Sequence, residues 1–236
     1  MRKDEKVDRD AVTTDNAGIL KDFLEAARAA GVTVMTDQQR EASRRKALSE
    51  LAVGQSFWLF AYGSLIWNPV IEYAQERLGQ LSGWHRDFCI HLPMGRGTLE
   101  TPGLMMGLKR GGHCMGKVYR FAPEQLELES TVLWKREMNT DIYIPTWLDV
   151  HTPEGKIKAL ALVVDPSHAR YRPLSNVSEQ ARVIAAASGP LGRNVDYLLN
   201  TATALKGLGI RDESLEALVH EVLALEQQKG GDNTLA

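Results

Sequence analysis

Phe57-Trp58-Leu59-Phe60-Ala61-Tyr62-Gly63-Ser64-Leu65-Ile66-Trp67-Asn68-Pro69 opens as a run of large apolar and aromatic residues and breaks at Gly63-Ser64. The run reads as a strand buried on both faces. A strand that ends in a small-residue turn can aim successive backbone N–H groups into one small volume. Such a volume suits an anion or a developing oxyanion. Glycine lets a ligand approach the backbone closely, because it has no Cβ. Taken alone, the same residues also describe a core strand followed by an ordinary turn.

Around this stretch the chain reads mainly as β structure. Candidate strands cover 57–62, 78–91, 104–109, 113–121, 141–150 and 156–165, separated by turns rich in Gly or Pro. His151 to Lys156 reads as the connection of the last two. Strands this short and this close together suggest a small barrel or a strongly curled sheet.

One helix interrupts them. Pro123 suits a first helical position, and Glu124, Glu127 and Glu129 lie near its start, where the helix dipole favours acids. It is expected to run to about Met138. Three helices are expected after Asp165, over 178–188, 194–205 and 212–227. Two more precede the core strand, over 16–30 with Gly31 as its stop, and from Thr36 to about Val53. Thr36-Asp37-Gln38-Gln39 matches a capping box. Arg40, Arg44, Arg45 and Lys46 are expected on a solvated face balanced by Glu41 and Glu50. The organisation expected is an N-terminal helical extension over 1–55, frayed at its first 15 residues, a main domain over 56–228 and a disordered tail over 229–236.

Composition sets limits. The 236 residues carry 28 Lys and Arg against 30 Asp and Glu, a formal net charge of -2, which points to neither nucleic acid nor a membrane surface. Hydrophobic content of 44% and charged content of 25% are those of a soluble globular protein. The charged N-terminus reads as carrying no secretory signal, and no apolar run is long enough to span a bilayer. Two cysteines, Cys89 and Cys114, do not make a disulfide framework, and a reducing cytoplasm is the expected location.

The residues nominate few chemical groups. Glu137 extends a stripe of Leu126, Ser130 and Leu133 at four-three-four spacing, whereas Lys135 and Arg136 are expected to point elsewhere on the helix. An acid at the edge of a packed face loses water, which makes it a better base near neutral pH. A partly exposed glutamate paired with a neighbouring cation fits the same spacing, and Glu129 fits a similar stripe. Gly95 to Gly103 is a Gly-rich loop with Arg96 and Glu100. Arg96 can hold an anionic ligand by a bidentate contact, and Glu100 is a second candidate acid; a surface turn is the alternative. Cys89-x-His91 and His113-Cys114 lack the spacing of a tetrahedral metal site. Ser64 is not set in a Gly-x-Ser-x-Gly elbow, and no Walker or Rossmann glycine pattern is present.

Four ordered segments resemble the ChaC family of γ-glutamylcyclotransferases. They are Tyr62-Gly63-Ser64-Leu65-Ile66-Trp67-Asn68-Pro69; Gly83-Trp84-His85-Arg86 with Phe88-Cys89 and Arg96-Gly97-Thr98; Gly111 to Arg120 with Leu133-Trp134-Lys135-Arg136-Glu137-Met138 and Tyr143-Ile144-Pro145-Thr146-Trp147; and Ala185 to Gly192 with Asn194 and Tyr197-Leu198. Ala61 departs from the family, which usually has glycine there. The resemblance covers about Phe57 to Leu225.

It implies an α+β fold, a mixed β-barrel flanked by helices. It also implies cleavage of glutathione to 5-oxoproline and cysteinylglycine, by attack of the substrate's own α-amine on its γ-carbonyl. The family places the proton acceptor on the Glu of Arg-Glu-Met, here Glu137. The segment Leu59, Phe60, Ala61, Tyr62, Gly63, Ser64 and Leu65 matches the substrate-binding loop, acting largely through backbone groups. Arg96 and Tyr143 are added as substrate-binding candidates. No cofactor or metal is required, and a monomer or weak homodimer acting on a small molecule is expected. Cyclotransferase activity on other γ-glutamyl amines or amino acids, and a non-catalytic binding protein on the same scaffold, are the alternatives.

Overall fold

The run of large apolar residues forms β1, Phe57–Ala61, with Phe57, Leu59, Phe60 and Ala61 buried and only Trp58 partly exposed. β1 has a paired strand on each edge. It pairs antiparallel with β3, Gly103–Phe121, in the register Phe57 with Phe121 through Ala61 with Lys117. On its other edge it runs parallel to β5, Gly155–Val164, with Trp58 beside Ala159. With β2, Gln75–Leu92, and β4, Tyr143–Thr152, these strands close a barrel in the order β1-β3-β2-β4-β5. Closure leaves no free sheet edge. Phe57 stacks on Phe121 with centroids 4.6 Å apart.

The computed structural model describes residues 18–52 and 54–232, and the side chains of 24–52 and 54–229. Among these, α1 spans Gly18–Ala29, α2 Asp37–Leu48, α3 Leu126–Glu137, α4 Val177–Ala186, α5 Asn194–Gly207 and α6 Glu213–Asp232. A short hairpin, β6 (Ser188–Gly189) with β7 (Gly192–Arg193), joins α4 to α5. The frayed segment expected over the first 15 residues, the helix start at Asn16 and the helix end at Val53 lie outside the described residues.

The chain divides into two compact units. The first comprises residues 1–86 and 108–168, and the second 87–107 and 169–236. The N-terminal helices therefore belong with the barrel strands, and α4, α5 and α6 belong with the hairpin segment 87–107. β2 and β3 are long enough to contribute residues to both units.

Several boundaries differ from the sequence reading. The strands expected over 104–109 and 113–121 are one strand, because Gly111 and Gly112 take positive φ (110° and 63°) and carry the chain through the break. The Nδ1 of His85 on β2 donates to the Gly111 carbonyl at 2.9 Å. The helix from Pro123 begins as a 3-10 turn, Pro123–Gln125, before α3. α6 continues to Asp232, past the expected end at 227 and into the segment expected to be a disordered tail; 233–236 lie outside the described residues.

The face of α2 is also corrected. Arg44 is buried, not solvated: Nε and Nη2 reach Glu41, and Nη1 reaches Glu127 and Ser130 of α3 at 3.0 and 2.9 Å. Other bonds fix the N-terminal segment on the barrel unit. The Met35 N–H donates to the Asn139 carbonyl (2.9 Å), the Trp134 indole to Ser43 Oγ (3.2 Å) and the Trp147 indole to the Ala47 carbonyl (2.8 Å). The capping box at Thr36 forms as expected, with both reciprocal bonds present.

Candidate active site

In the first unit the chain leaves β1 at Tyr62, turns at Gly63 and enters a 3-10 turn over Ser64–Ile66. Ile66 donates to the Gly63 carbonyl (2.9 Å), and Trp67 and Asn68 donate to the Ser64 carbonyl (3.2 and 2.9 Å). The N–H groups at the start of a helical turn have no acceptor within it. Those of Gly63, Ser64 and Leu65 make no hydrogen bond among the described residues. Side chains hold the turn from below. The Tyr62 hydroxyl donates to the Leu162 carbonyl at 2.7 Å, and the Tyr119 hydroxyl to the Leu65 carbonyl at 3.0 Å. With its hydroxyl engaged in the core, Tyr62 presents backbone to the loop. Val70 closes the segment at φ 61°, in the left-handed region that a β-branched residue rarely adopts.

Glu137 is the last residue of α3, on the turn after fully buried Leu133. Its side chain is 15% exposed, and Arg136 Nε lies 2.8 Å from Glu137 Oε1. Adjacent helical residues do not normally face each other. Here α3 ends at Glu137, and Arg136 is long enough to fold back. The expectation that Arg136 points away from Glu137 is therefore corrected. Arg136 also reaches the loop: Nη2 donates to Ser64 Oγ at 3.3 Å and Nη1 donates to the Asn68 carbonyl. One guanidinium thus joins the acid to both ends of the turn. Sequence reasoning missed this residue, although its place beside Glu137 in a Lys-Arg-Glu segment was a usable signal.

Glu129 is also on α3 and fully buried, and its Oε2 accepts the Glu72 N–H at 2.8 Å. That bond engages one oxygen with the backbone. Tyr143 starts β4, is 8% exposed and pairs with Val164.

The other nominated residues lie in the second unit. Arg96 is buried although Leu99 to Thr101 of the same loop are exposed, and Nη1 donates to the Arg193 carbonyl at 3.0 Å. The glycines beside it allow close backbone packing. A Cβ on Gly97 would lie 2.4 Å from Gly103 N, and one on Gly189 would lie 2.3 Å from the Gly95 carbonyl oxygen. The Asn194 side chain bonds both the N–H and the carbonyl of Leu104 at 2.8 Å. Glu100 is exposed, and hydrogen bonds from its own amide and from Thr98 hold its carboxyl below the ordinary range. A depressed carboxyl is a weaker base. Burial, then the charges of Arg172 and Arg170, push the His91 imidazole down. Cys89 and Cys114 are buried thiols. Among the described residues no group of three or more His, Cys, Asp or Glu side chains could hold a metal ion, and no helix is long and apolar enough to cross a membrane.

The model of the ChaC-like protein family matches residues 57–225, from the first residue of β1 into α6. The chain belongs to the ChaC-like family. A glutathione-specific γ-glutamylcyclotransferase of Escherichia coli (strain K12) is 42% identical over 199 residues, covering 84% of this chain and 86% of that protein. A mouse protein, glutathione-specific γ-glutamylcyclotransferase 1, is 33% identical over 175 residues, 71% of this chain and 78% of its own. The crystal structure of a yeast γ-glutamylcyclotransferase specific to glutathione superposes with a TM-score of 0.64 at 21% identity, covering 72% of this chain and 99% of that one. That likeness confirms the expected ChaC-like fold, a closed mixed barrel with flanking helices. α1 and α2 lie outside the residues that the ChaC-like model matches.

Proposed function

We propose that the chain cleaves glutathione into 5-oxo-L-proline and L-cysteinylglycine, with Glu137 as proton acceptor. The observation that carries this reading is the largely buried Glu137 carboxylate joined through Arg136 to Ser64 and Asn68 of the loop. The name of the Escherichia coli relative supports the substrate.

The chemistry needs no protein nucleophile. Glu137 takes a proton from the α-ammonium of the γ-glutamyl group. The freed amine attacks the γ-carbonyl carbon, a new C–N bond closes the five-membered ring, and the carbonyl oxygen becomes an oxyanion. The unengaged amides of Gly63, Ser64 and Leu65 suit that oxyanion or the α-carboxylate. Collapse breaks the bond to the cysteine nitrogen; the proton held by Glu137 passes to the departing amine, and the freed carboxylate takes the second proton from the ring nitrogen to leave the lactam N–H. Leu59, Phe60 and Ala61 set the direction of the loop, Tyr62 contributes backbone, and Tyr143 lines the γ-glutamyl group. Holding amine and carbonyl together is an orientation effect, which can supply several kcal/mol of the barrier, up to about 10. Arg96 is assigned to a terminal carboxylate of the substrate on charge and shape. The two thiols fit a reducing cytoplasm, and a monomer or weak homodimer is sufficient, which size-exclusion chromatography checks.

The test is incubation with reduced glutathione, with Glu137→Gln alongside. Both products from the wild type and neither from the variant are expected. Turnover of other γ-glutamyl amines with none of glutathione would move the substrate class. Binding without any product would leave a regulatory γ-glutamyl-binding protein.

A further inference from the structure

We propose that Arg136 is the positioning residue of this site, locking the Glu137 carboxylate and the Tyr62–Pro69 loop into one rigid unit. The proposal rests on the reading of Glu137 as the base.

An ion pair between neighbours on an exposed helix surface would carry no such meaning, since such pairs contribute little. This one is different in three respects. Both partners are withdrawn from water, with side-chain exposures of 7% for Arg136 and 15% for Glu137. All three guanidinium nitrogens are engaged, on Glu137 Oε1, the Asn68 carbonyl and Ser64 Oγ. Those acceptors belong to two separate elements, the end of α3 and the loop after β1. Two of these contacts are hydrogen bonds and the third is an ion pair, and because a planar guanidinium presents its donors in a fixed fork, the three together define its place and its plane. Glu137, whose side chain otherwise has three free torsions, is thereby fixed through Oε1. Among the described residues Oε2 has no partner. Arg136 thus assigns the oxygens: Oε1 to the tether and Oε2 to the proton.

The same guanidinium holds Ser64 and Asn68, which bracket the 3-10 turn. The distance from the base to the loop amides is then set by one side chain, not by two independently mobile elements. A displacement on the scale of 1 Å can change a rate by about 100-fold.

The experiment compares Arg136→Ala, Arg136→Lys and Glu137→Gln with the wild type in kcat per folded molecule, KM for glutathione and Tm. Arg136→Ala is expected to lower kcat by about 10- to 100-fold and to raise KM. Millimolar methylguanidine is expected to restore part of kcat in that variant and none in the wild type. Arg136→Lys keeps the charge but not the fork, and is expected to fall between the two. Folded Arg136→Ala with wild-type kcat, or a loss that methylguanidine does not relieve, overturns the proposal. If Arg136→Ala does not fold, Arg136→Lys decides: reduced kcat at unchanged Tm supports it, and unchanged kcat overturns it. If neither folds, Arg136 is structural and the proposal is wrong. Glu137→Gln keeps the two readings apart. A fully active Glu137→Gln removes the base, whereas an inactive Glu137→Gln beside fully active Arg136 variants removes only the tether.

Discussion

The hydroxyl of Tyr119, on β3, donates to the carbonyl of Leu65 at 3.0 Å, fixing the floor of the loop to the barrel wall. Tyr119 is 1% exposed, and burial, aided by the charges of Glu76 and Tyr73, pushes its phenol well above the ordinary value. The group therefore remains a donor at any working pH. Tyr119→Phe leaves a buried carbonyl without this partner, which costs about 1–2 kcal/mol. The expected result is a Tm lower by about 2–8 °C, at roughly 2–4 °C per kcal/mol for a chain of this size. Loss of turnover should exceed the loss of folded protein. Calorimetry and steady-state kinetics on one preparation check both.

Gly116 approaches β1 closely. A Cβ there would lie 2.3 Å from the Ala61 carbonyl oxygen and 2.8 Å from Phe60 Cζ. Ala61 is the last residue of β1 before the loop, so the added methyl pushes on the segment that carries Tyr62. Gly116→Ala is expected to destabilise by about 1–3 kcal/mol, as overpacking does. Gly207, at the end of α5, is the control, since an added methyl there would have nothing within 4 Å. Gly207→Ala is expected to stabilise by about 0.5–1 kcal/mol through helix propensity and the unfolded chain. Chemical denaturation of both variants tests the contrast in sign.

What the sequence revealed followed from how local each signal is. The unbroken apolar run of β1, the Gly63-Ser64 break and the Thr36 capping box are written within a few residues, and all three form. The withdrawal of the Glu137 side chain from water follows the helical spacing that ties it to Leu133. Arg136 was not legible, because helical geometry alone turns neighbouring side chains apart, and its acceptors Ser64 and Asn68 lie about 70 positions earlier. Arg44 was misread for the same reason: its partner Glu127 is 83 residues away. The Gly111-Gly112 pair looked like a turn, since glycine with positive φ serves turns and distorted strands alike.

For Arg96, two substitutions separate its roles. Arg96→Ala removes the donor to the Arg193 carbonyl, and is expected both to lower Tm and to raise KM for glutathione with kcat little changed. Lysine can still donate one hydrogen bond but lacks the bidentate fork. Arg96→Lys is therefore expected to recover stability without recovering KM. If KM matches the wild type in both variants, Arg96 makes no contact with substrate.

The docking of α2 on α3 should weaken in acid. Hydrogen bonds from Arg44 first and from Arg45 hold the Glu41 carboxyl down at about 2, from an ordinary value near 4.5. A carboxyl depressed in the folded state binds fewer protons there than in the unfolded chain. Its contribution is thus complete above about pH 4.5 and is lost as pH falls toward 2. Glu41 is 37% exposed, so solvent screens the pair and the effect is modest. Arg44 keeps Ser130 Oγ as a partner that does not titrate, so the change is a loosening of α2 and not global unfolding. The indole of Trp134 donates to Ser43 Oγ on α2 and makes a local reporter. Its fluorescence, and hydrogen exchange of the α2 amides, should change between about pH 4.5 and pH 2, with exchange faster at the acid end. Glu41→Gln is expected to flatten that window while matching the wild type at its acid limit. A variant with the same acid profile as the wild type would show that the Glu41–Arg44 pair does not hold α2 in place.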